Sequence, residues 1–209
     1  MNTTERTEFP PRGFTLTEML VVMAILGVLM GALLTSFLIG QQSFRSADAY
    51  VHVQNQARQV LDSVKELYAG GGTKIGVVGN PPQTFQFQLA LGYNLTVPVG
   101  CPAVGICWGA EDQFGVKQYN WYVQYRVTGP PTQLVRELYQ PGPPDVLIWT
   151  RVLANDVDPN PANTFFVYNA ATKTVQIHLQ ILRSSVMLPG GQMASQPLVA
   201  QIQLRNTGS

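Results

Sequence analysis

The longest apolar stretch of the chain lies close to its start. Between Gly13 and Arg45 the only charged residue is Glu18, and the others are apolar, small or uncharged polar residues. As an α-helix, the run from Met19 to Gly40 would extend about 33 Å, slightly more than a hydrocarbon core of about 30 Å. The pattern therefore predicts a membrane-spanning helix over residues 14–40, with one carboxylate near its beginning.

The helical pattern continues beyond Gly40, but apolar residues now follow one stripe and polar residues occupy the other sides. This stripe steps by three or four residues and comprises Phe44, Ala47, Val51, Ala57, Val60, Leu61, Val64, Leu67 and Tyr68. It predicts an amphipathic second half over residues 41–72, ended by the glycines at 70–72. Such a half needs a partner, for example a β-sheet of the same chain.

From Thr73 the period of the pattern changes to two, which is typical of β-strands. The predicted strands lie at residues 84–91, 119–128, 134–139, 146–152, 164–168, 174–182 and 198–204, with turns at 129–132 and 169–173 that predict two hairpins. One face of these strands is apolar, so an antiparallel sheet covered by the amphipathic helix is expected. The fold class is α+β, with a globular head over residues 73–209.

Glu18 is costly in lipid, by about 2.5–3.5 kcal/mol at a helix centre and less near an end, so its partner matters. The residues before it, Gly13-Phe14-Thr15-Leu16-Thr17-Glu18, followed by the apolar run, resemble the processing site of the type IV filament superfamily of type IV pilins, type II secretion pseudopilins and competence pilins. The resemblance implies that residues 1–13 are a leader peptide. A prepilin peptidase would then cut between Gly13 and Phe14 and methylate the new N-terminus of Phe14.

The same resemblance implies a partner for Glu18, the N-terminal ammonium of Phe14 on a neighbouring subunit. Opposite charges attract more strongly in a low-dielectric filament core than in water, and only one axial stagger brings them together. Glu18 is therefore interpreted as a residue that sets the assembly register. An ordinary signal peptide is the alternative, but its cleavage site follows a short apolar region, whereas here the cut precedes a long one.

Short pieces of the head resemble the W-type minor pilins and the J-type minor pseudopilins. These pieces are residues 125–127, 134–136, 152–157 and 204–206, together with Phe165-x-x-Tyr168 and Val175-x-Ile177-x-Leu179. Many subunits at the tips of such filaments lack the glutamate, so the presence of Glu18 favours a subunit that docks on others in the ordinary register.

Cys101 and Cys107 are the only cysteines. An oxidising compartment favours their pairing, and the intervening Pro and Gly allow their Cα atoms to approach within about 4.4–6.8 Å. The alternative is two free thiols in a loop. A metal site is not expected, because neither His52 nor His178 is near in sequence and two thiolates alone do not form a structural zinc site.

Charge and motifs give no indication of nucleic-acid binding or catalysis. The net charge is +1, and Lys and Arg occur singly, so no basic patch is predicted. No G-x-S-x-G, H-E-x-x-H or dinucleotide fingerprint occurs, so we expect neither an enzyme nor a cofactor. His52 and His178 are predicted on polar faces, and Asp156 with Asp158 is predicted to form a turn.

Three hypotheses follow. In the first, the chain is the precursor of a minor type IV pilin, held in the inner membrane with its head in the periplasm and then incorporated into a pilus. The second places it in a type II secretion pseudopilus, and the third is a membrane-anchored binding domain that never polymerises. The resemblance implies as partners other pilin subunits, prepilin peptidase, the inner-membrane assembly platform and, before assembly, membrane lipid.

Overall fold

The computed structural model describes residues 15–81, 83–96, 98, 100–187 and 193–205, with the backbone alone at 183–187 and 193–194. Helix α1 runs without a break over Leu16–Val64, and a 3-10 helix over Lys65–Ala69 completes it. The chain divides into two compact units, Met1–Phe44, the N-terminal unit, and Arg45–Ser209, the globular unit. The predicted long helix is confirmed, and the globular unit includes its second half.

A seven-stranded antiparallel sheet forms the larger part of the globular unit. Its strands are β1 (Gly70–Val78), β2 (Thr84–Tyr93), β3 (Ile106–Glu111), β4 (Lys117–Tyr119), β5 (Tyr122–Val127), β6 (Gln133–Gln140) and β7 (Val146–Asn155). They follow the order β4-β3-β2-β5-β6-β7, and β1 also pairs with β2. The predicted β6 and β7 and the hairpin of β5 with β6 are confirmed.

A second sheet contains β8 (Phe165–Asn169), β9 (Thr174–Met187) and β10 (Met193–Gln203), in the order β10-β9-β8. The predicted inward face of β9, Val175, Ile177, Leu179 and Ile181, is fully buried. The predicted α+β class is confirmed, but the strands form two sheets where one was expected. The core is consequently shared by the helix and both sheets.

Two local features of the large sheet differ from the prediction. The glycines at 70–72 begin β1 instead of only ending the helix; Gly72 has φ +83° and a Cβ there would collide with the Gln88 side chain. The single strand predicted over residues 119–128 is wrong, because Asn120, with φ +63°, separates β4 from β5 and donates its N–H to the Trp108 carbonyl oxygen. Glycine and asparagine tolerate such left-handed conformations.

The apolar stripe predicts the buried face of the helix only in part: Ala57, Val60, Val64 and Leu67 are buried, but other members of the stripe are exposed. The buried residues are Ala49, Val53, Gln56, Ala57, Val60, Val64 and Leu67, whereas Phe44 and Val51 are 79% and 54% exposed. Apart from the adjacent Gln56 and Ala57, the buried residues are spaced by three or four, and the two alanines let the helix backbone approach the sheets closely. The predicted stripe mixed residues from this face with exposed ones.

Two buried glutamines, Gln88 and Gln56, form hydrogen bonds to the backbone of neighbouring elements. Gln88, 1% exposed, accepts from the Thr73 N–H at 3.1 Å and donates to the Asn120 carbonyl oxygen at 3.1 Å. Gln56, on the helix, accepts from the Asn155 N–H at 3.0 Å. Buried polar groups require such partners, so these contacts fix β1 and the end of β7 against their neighbours.

A partly buried ionic cluster joins the end of the helix to the large sheet. Glu66 accepts from Arg136 Nε at 2.8 Å and Arg136 Nη2 at 3.1 Å, and Tyr125 Oη donates to Glu66 Oε1 at 2.5 Å. The Arg136 side chain is 10% exposed. Burial and the adjacent Glu66 charge raise the pKa of the Tyr125 phenol well above its usual value, so this hydroxyl stays a donor.

We expect Glu66→Gln to lower the free energy of unfolding by about 2 kcal/mol, because it leaves the Arg136 guanidinium without its carboxylate. Tyr125→Phe is expected to lower it by about 1 kcal/mol, because it removes one hydrogen bond to Glu66. Lys65→Gln is the matched control one residue away, since the Lys65–Asp62 pair is 67% and 71% exposed and exposed pairs contribute little. Urea unfolding of the full chain in detergent, followed by tryptophan fluorescence, measures all three. Equal midpoints for Glu66→Gln and Lys65→Gln would show that the cluster does not stabilise the fold.

Candidate processing and assembly site

Glu18 lies in the first turn of α1, three residues after Thr15. Thr15 precedes the helix, which begins at Leu16, and therefore occupies the N-cap position. Gly13 and Phe14, the predicted cleavage and methylation residues, lie outside the described residues, so their roles stay predictions.

Thr15 and Glu18 form a reciprocal capping box. The Thr15 N–H and the Thr15 hydroxyl donate to Glu18 Oε2 at 2.8 and 2.9 Å, and the Glu18 N–H donates to Thr15 Oγ1 at 3.3 Å. This arrangement satisfies two backbone N–H groups that the first turn of a helix otherwise leaves unpaired. The Thr-x-x-Glu spacing before an apolar run is a sequence signal for this box, but Thr15 was not among the predicted site residues.

The capping box uses only one oxygen of the carboxylate. Both hydrogen bonds from Thr15 end on Oε2, and no group in the described part of the chain donates to Oε1. Glu18 thus has an acceptor oxygen available for a cation while its own helix start remains capped. An ammonium group is suited to this position because it combines charge with hydrogen-bond donation.

The surface next to Glu18 is apolar. A shallow groove beside it is lined by Thr17, Val21 and Val22, and every residue from 15 to 39 is exposed. In the part of the chain that the structure describes, α1 with its 3-10 extension is the one helix long and apolar enough to cross a membrane. An exposed apolar helix of this length requires lipid or other apolar helices around it.

The structure joins Cys101 and Cys107 in a disulfide, with their Cα atoms 5.1 Å apart. The loop before β3 is further held by Asn94, whose N–H donates to the Gly105 carbonyl oxygen and whose Oδ1 accepts from the Gly105 N–H. Cys107 lies in β3 and is fully buried. The disulfide belongs to the globular unit and Glu18 to the N-terminal unit.

The other candidate residues have structural contacts. His178 stacks on Phe165 with ring centroids 4.3 Å apart, and His52 contacts Gln56 at 3.3 Å. The predicted turn contains Asp158, whose oxygens accept from the Asn160 N–H and the Asn163 amide. Among the residues described, no three His, Cys, Asp or Glu side chains are close enough to hold a metal ion.

We expect the thiols of Cys101 and Cys107 to resist alkylation in the denatured chain from native cells until a reductant is added. In the folded chain, burial of Cys107 and a disulfide would each prevent alkylation. The chain is therefore denatured first, so that only a disulfide can still protect the two residues. Mass spectrometry of the peptides containing both residues gives the result. Complete alkylation without reductant would contradict the disulfide.

A protein-family model matches the chain, and the match lies in its N-terminal region. The model of the prokaryotic N-terminal methylation motif matches residues 11–34, which include Gly13, Phe14, the capping box and the first part of α1. No curated protein and no solved structure matches the chain. The motif implies processing by prepilin peptidase and assembly with other pilins. The chain therefore carries the N-terminal methylation motif of type IV pilin-like proteins, which supports a pilin or pseudopilin precursor, and its apolar N-terminal helix is suited to membrane anchoring.

Proposed function

We propose that the chain is the precursor of a minor type IV pilin, a structural subunit that joins the filament through α1. Prepilin peptidase cuts between Gly13 and Phe14 and methylates Phe14. Before assembly the head faces the periplasm and α1 lies in the inner membrane. The observation that carries this proposal is the methylation motif over residues 11–34 together with the capped, half-satisfied carboxylate of Glu18.

The electrostatics of Glu18 support assembly in a defined register. In the free chain Thr15 satisfies Oε2, so the carboxylate is fixed in position before a neighbour arrives. The N-terminal ammonium of Phe14 on an adjacent subunit can then bind at Oε1. In an apolar helix bundle an unpaired carboxylate is strongly unfavourable, so subunits shifted along the filament axis would be disfavoured.

A minor pseudopilin of type II secretion would use the same N-terminal chemistry. The pieces of the head between residues 125 and 206 resemble both the W-type minor pilins and the J-type minor pseudopilins, so an experiment must separate the two. Deletion of the gene separates the two, since loss of surface pili with normal protein secretion supports the pilus. Normal pili with loss of secretion would contradict it.

The processed chain from native cells is expected to begin at N-methylated Phe14. Intact-mass and N-terminal peptide mass spectrometry measure this directly, and a strain without prepilin peptidase provides the control with its leader intact. An intact leader in cells with active peptidase, or a cut after the apolar run, would contradict the proposal and favour an anchored domain that does not polymerise.

Glu18→Gln is expected to leave cleavage intact and to reduce incorporation into filaments by about tenfold or more. The amide preserves the shape of the side chain but removes its charge. A tenfold loss corresponds to only about 1.4 kcal/mol. Glu5→Gln is the matched control, since it removes one carboxylate from the leader that processing discards. Immunoblots of sheared filaments and of the membrane fraction give the ratio. Equal incorporation of both variants would show that Glu18 does not set the register.

A further inference from the structure

Strand β7 forms an open edge of the large sheet. Among the described residues its sole strand neighbour is β6. Four of its apolar side chains, Val146, Leu147, Ile148 and Val152, are 51%, 46%, 43% and 45% exposed. The side of β7 away from β6 presents backbone N–H and C=O groups that an extended peptide can pair with.

The other described edges are better protected against pairing. The three residues of β4 include Lys117, β8 has only five residues, β10 contains Pro197, and β1 contains Lys74 among several glycines. These are features that natural proteins use to block edge-to-edge association. The ten residues of β7 contain neither Pro nor Lys. Of these edges, β7 is therefore the one most suited to accept a further strand.

The register of β7 defines the part that can pair regularly. Ile148 and Leu153 are extra residues relative to β6, as the pairs Leu138 with Trp149 and Val135 with Val152 show. Residues 149–152 between these bulges pair with β6 without interruption. A bulge disturbs the ladder locally, so an added strand would align along 149–152.

Arg151, within this segment, lacks an anionic partner. It is exposed and lies directly opposite Arg136 in the β6–β7 pairing, where like charges repel. Glu66 binds Arg136 on both of its oxygens. Within the described residues Arg151 makes no hydrogen bond or ion pair. Glu66 therefore binds only one of these two arginines, and a second carboxylate would be favourable beside Arg151.

A groove lies beside Arg151. It has a volume of about 320 Å³ and is lined by Gln59, Asp62 and Ser63 of α1 and by Arg151, Val152 and Leu153 of β7. Asp62 already accepts from Lys65 at 2.6 Å. The groove can therefore receive a side chain from an added strand, and the unpaired guanidinium at its wall favours an acidic one.

We propose that the β7 edge is a docking surface for an extended segment of a different filament subunit. The segment pairs with the backbone along residues 149–152 and places a Glu or Asp side chain against Arg151 in the groove. This inference rests on the proposed function, because that function supplies the neighbouring subunit.

Hydrogen exchange tests the backbone pairing in the native chain. We expect amides of the peptide 146–155 to exchange at least tenfold more slowly in assembled filaments than in the full chain in detergent, since a paired edge must open before exchange. Equal exchange rates in filaments and in detergent would overturn the inference. Exchange in detergent that slows as the chain concentration rises would also overturn it, because a second copy of this chain would then be the occupant.

Substitutions test the side-chain contacts. Val152→Lys and Arg151→Glu are each expected to reduce incorporation into filaments by about tenfold, through a gatekeeper charge or through repulsion of the acidic side chain. Val199→Lys is the matched control, because Val199 is 66% exposed on β10. All three should retain the urea midpoint of the native chain. If Val152→Lys and Arg151→Glu reduce incorporation into filaments no more than Val199→Lys does, the inference is overturned.

The two proposals fail in distinguishable ways. If the native chain is cleaved at Gly13 and found in filaments while the β7 variants incorporate normally, the docking surface is wrong and the proposed function stands. If the native chain is absent from filaments, both proposals are wrong.

Discussion

The apolar half of α1 cannot be buried by the chain that carries it. Every residue from 15 to 39 is exposed in the structure, and exposing so much apolar surface to water is strongly unfavourable. The helix therefore depends on a lipid bilayer or on other apolar helices. This requirement accounts for the membrane-anchoring character of the N-terminal unit.

The second half of the same helix is buried on one face by its own chain. Its buried face, which includes Ala49, Val53, Val60 and Leu67, packs in a core with residues of both sheets. The cluster of Glu66, Arg136 and Tyr125 then joins the helix end to β5 and β6 through directional contacts. Burial supplies most of the favourable free energy, whereas the cluster specifies how the helix end and the large sheet are aligned.

Charges are few, and Glu18 and Arg151 are among those whose side chains are not fully paired within the described residues. Glu18 has one oxygen occupied by Thr15, and Arg151 lies opposite another arginine without an ion pair of its own in the described residues. Both lie on elements exposed to potential neighbours. An incompletely paired charge on a surface costs little in water, but it becomes a strong determinant of geometry once a partner excludes the water.

Local pattern along the chain was sufficient to predict several features correctly. The long helix, the α+β class and the inward face of β9 follow from periodicity, and the N-terminal methylation motif follows from contiguous residues between Gly13 and Glu18. Local rules suffice here because helix period, strand alternation and short motifs involve residues close together in the chain.

Other features depend on distant residues and emerge only in the folded chain. Periodicity could not select the buried face of the helix, because apolar residues occur on more than one face. Packing against the two sheets decides which of these residues are buried. Nor could it reveal the break at Asn120, the burial of Gln88, or the placement of Arg151 opposite Arg136 at an open edge. In each case the deciding contact joins residues far apart in sequence, and its free energy depends on burial and pairing that no local pattern encodes.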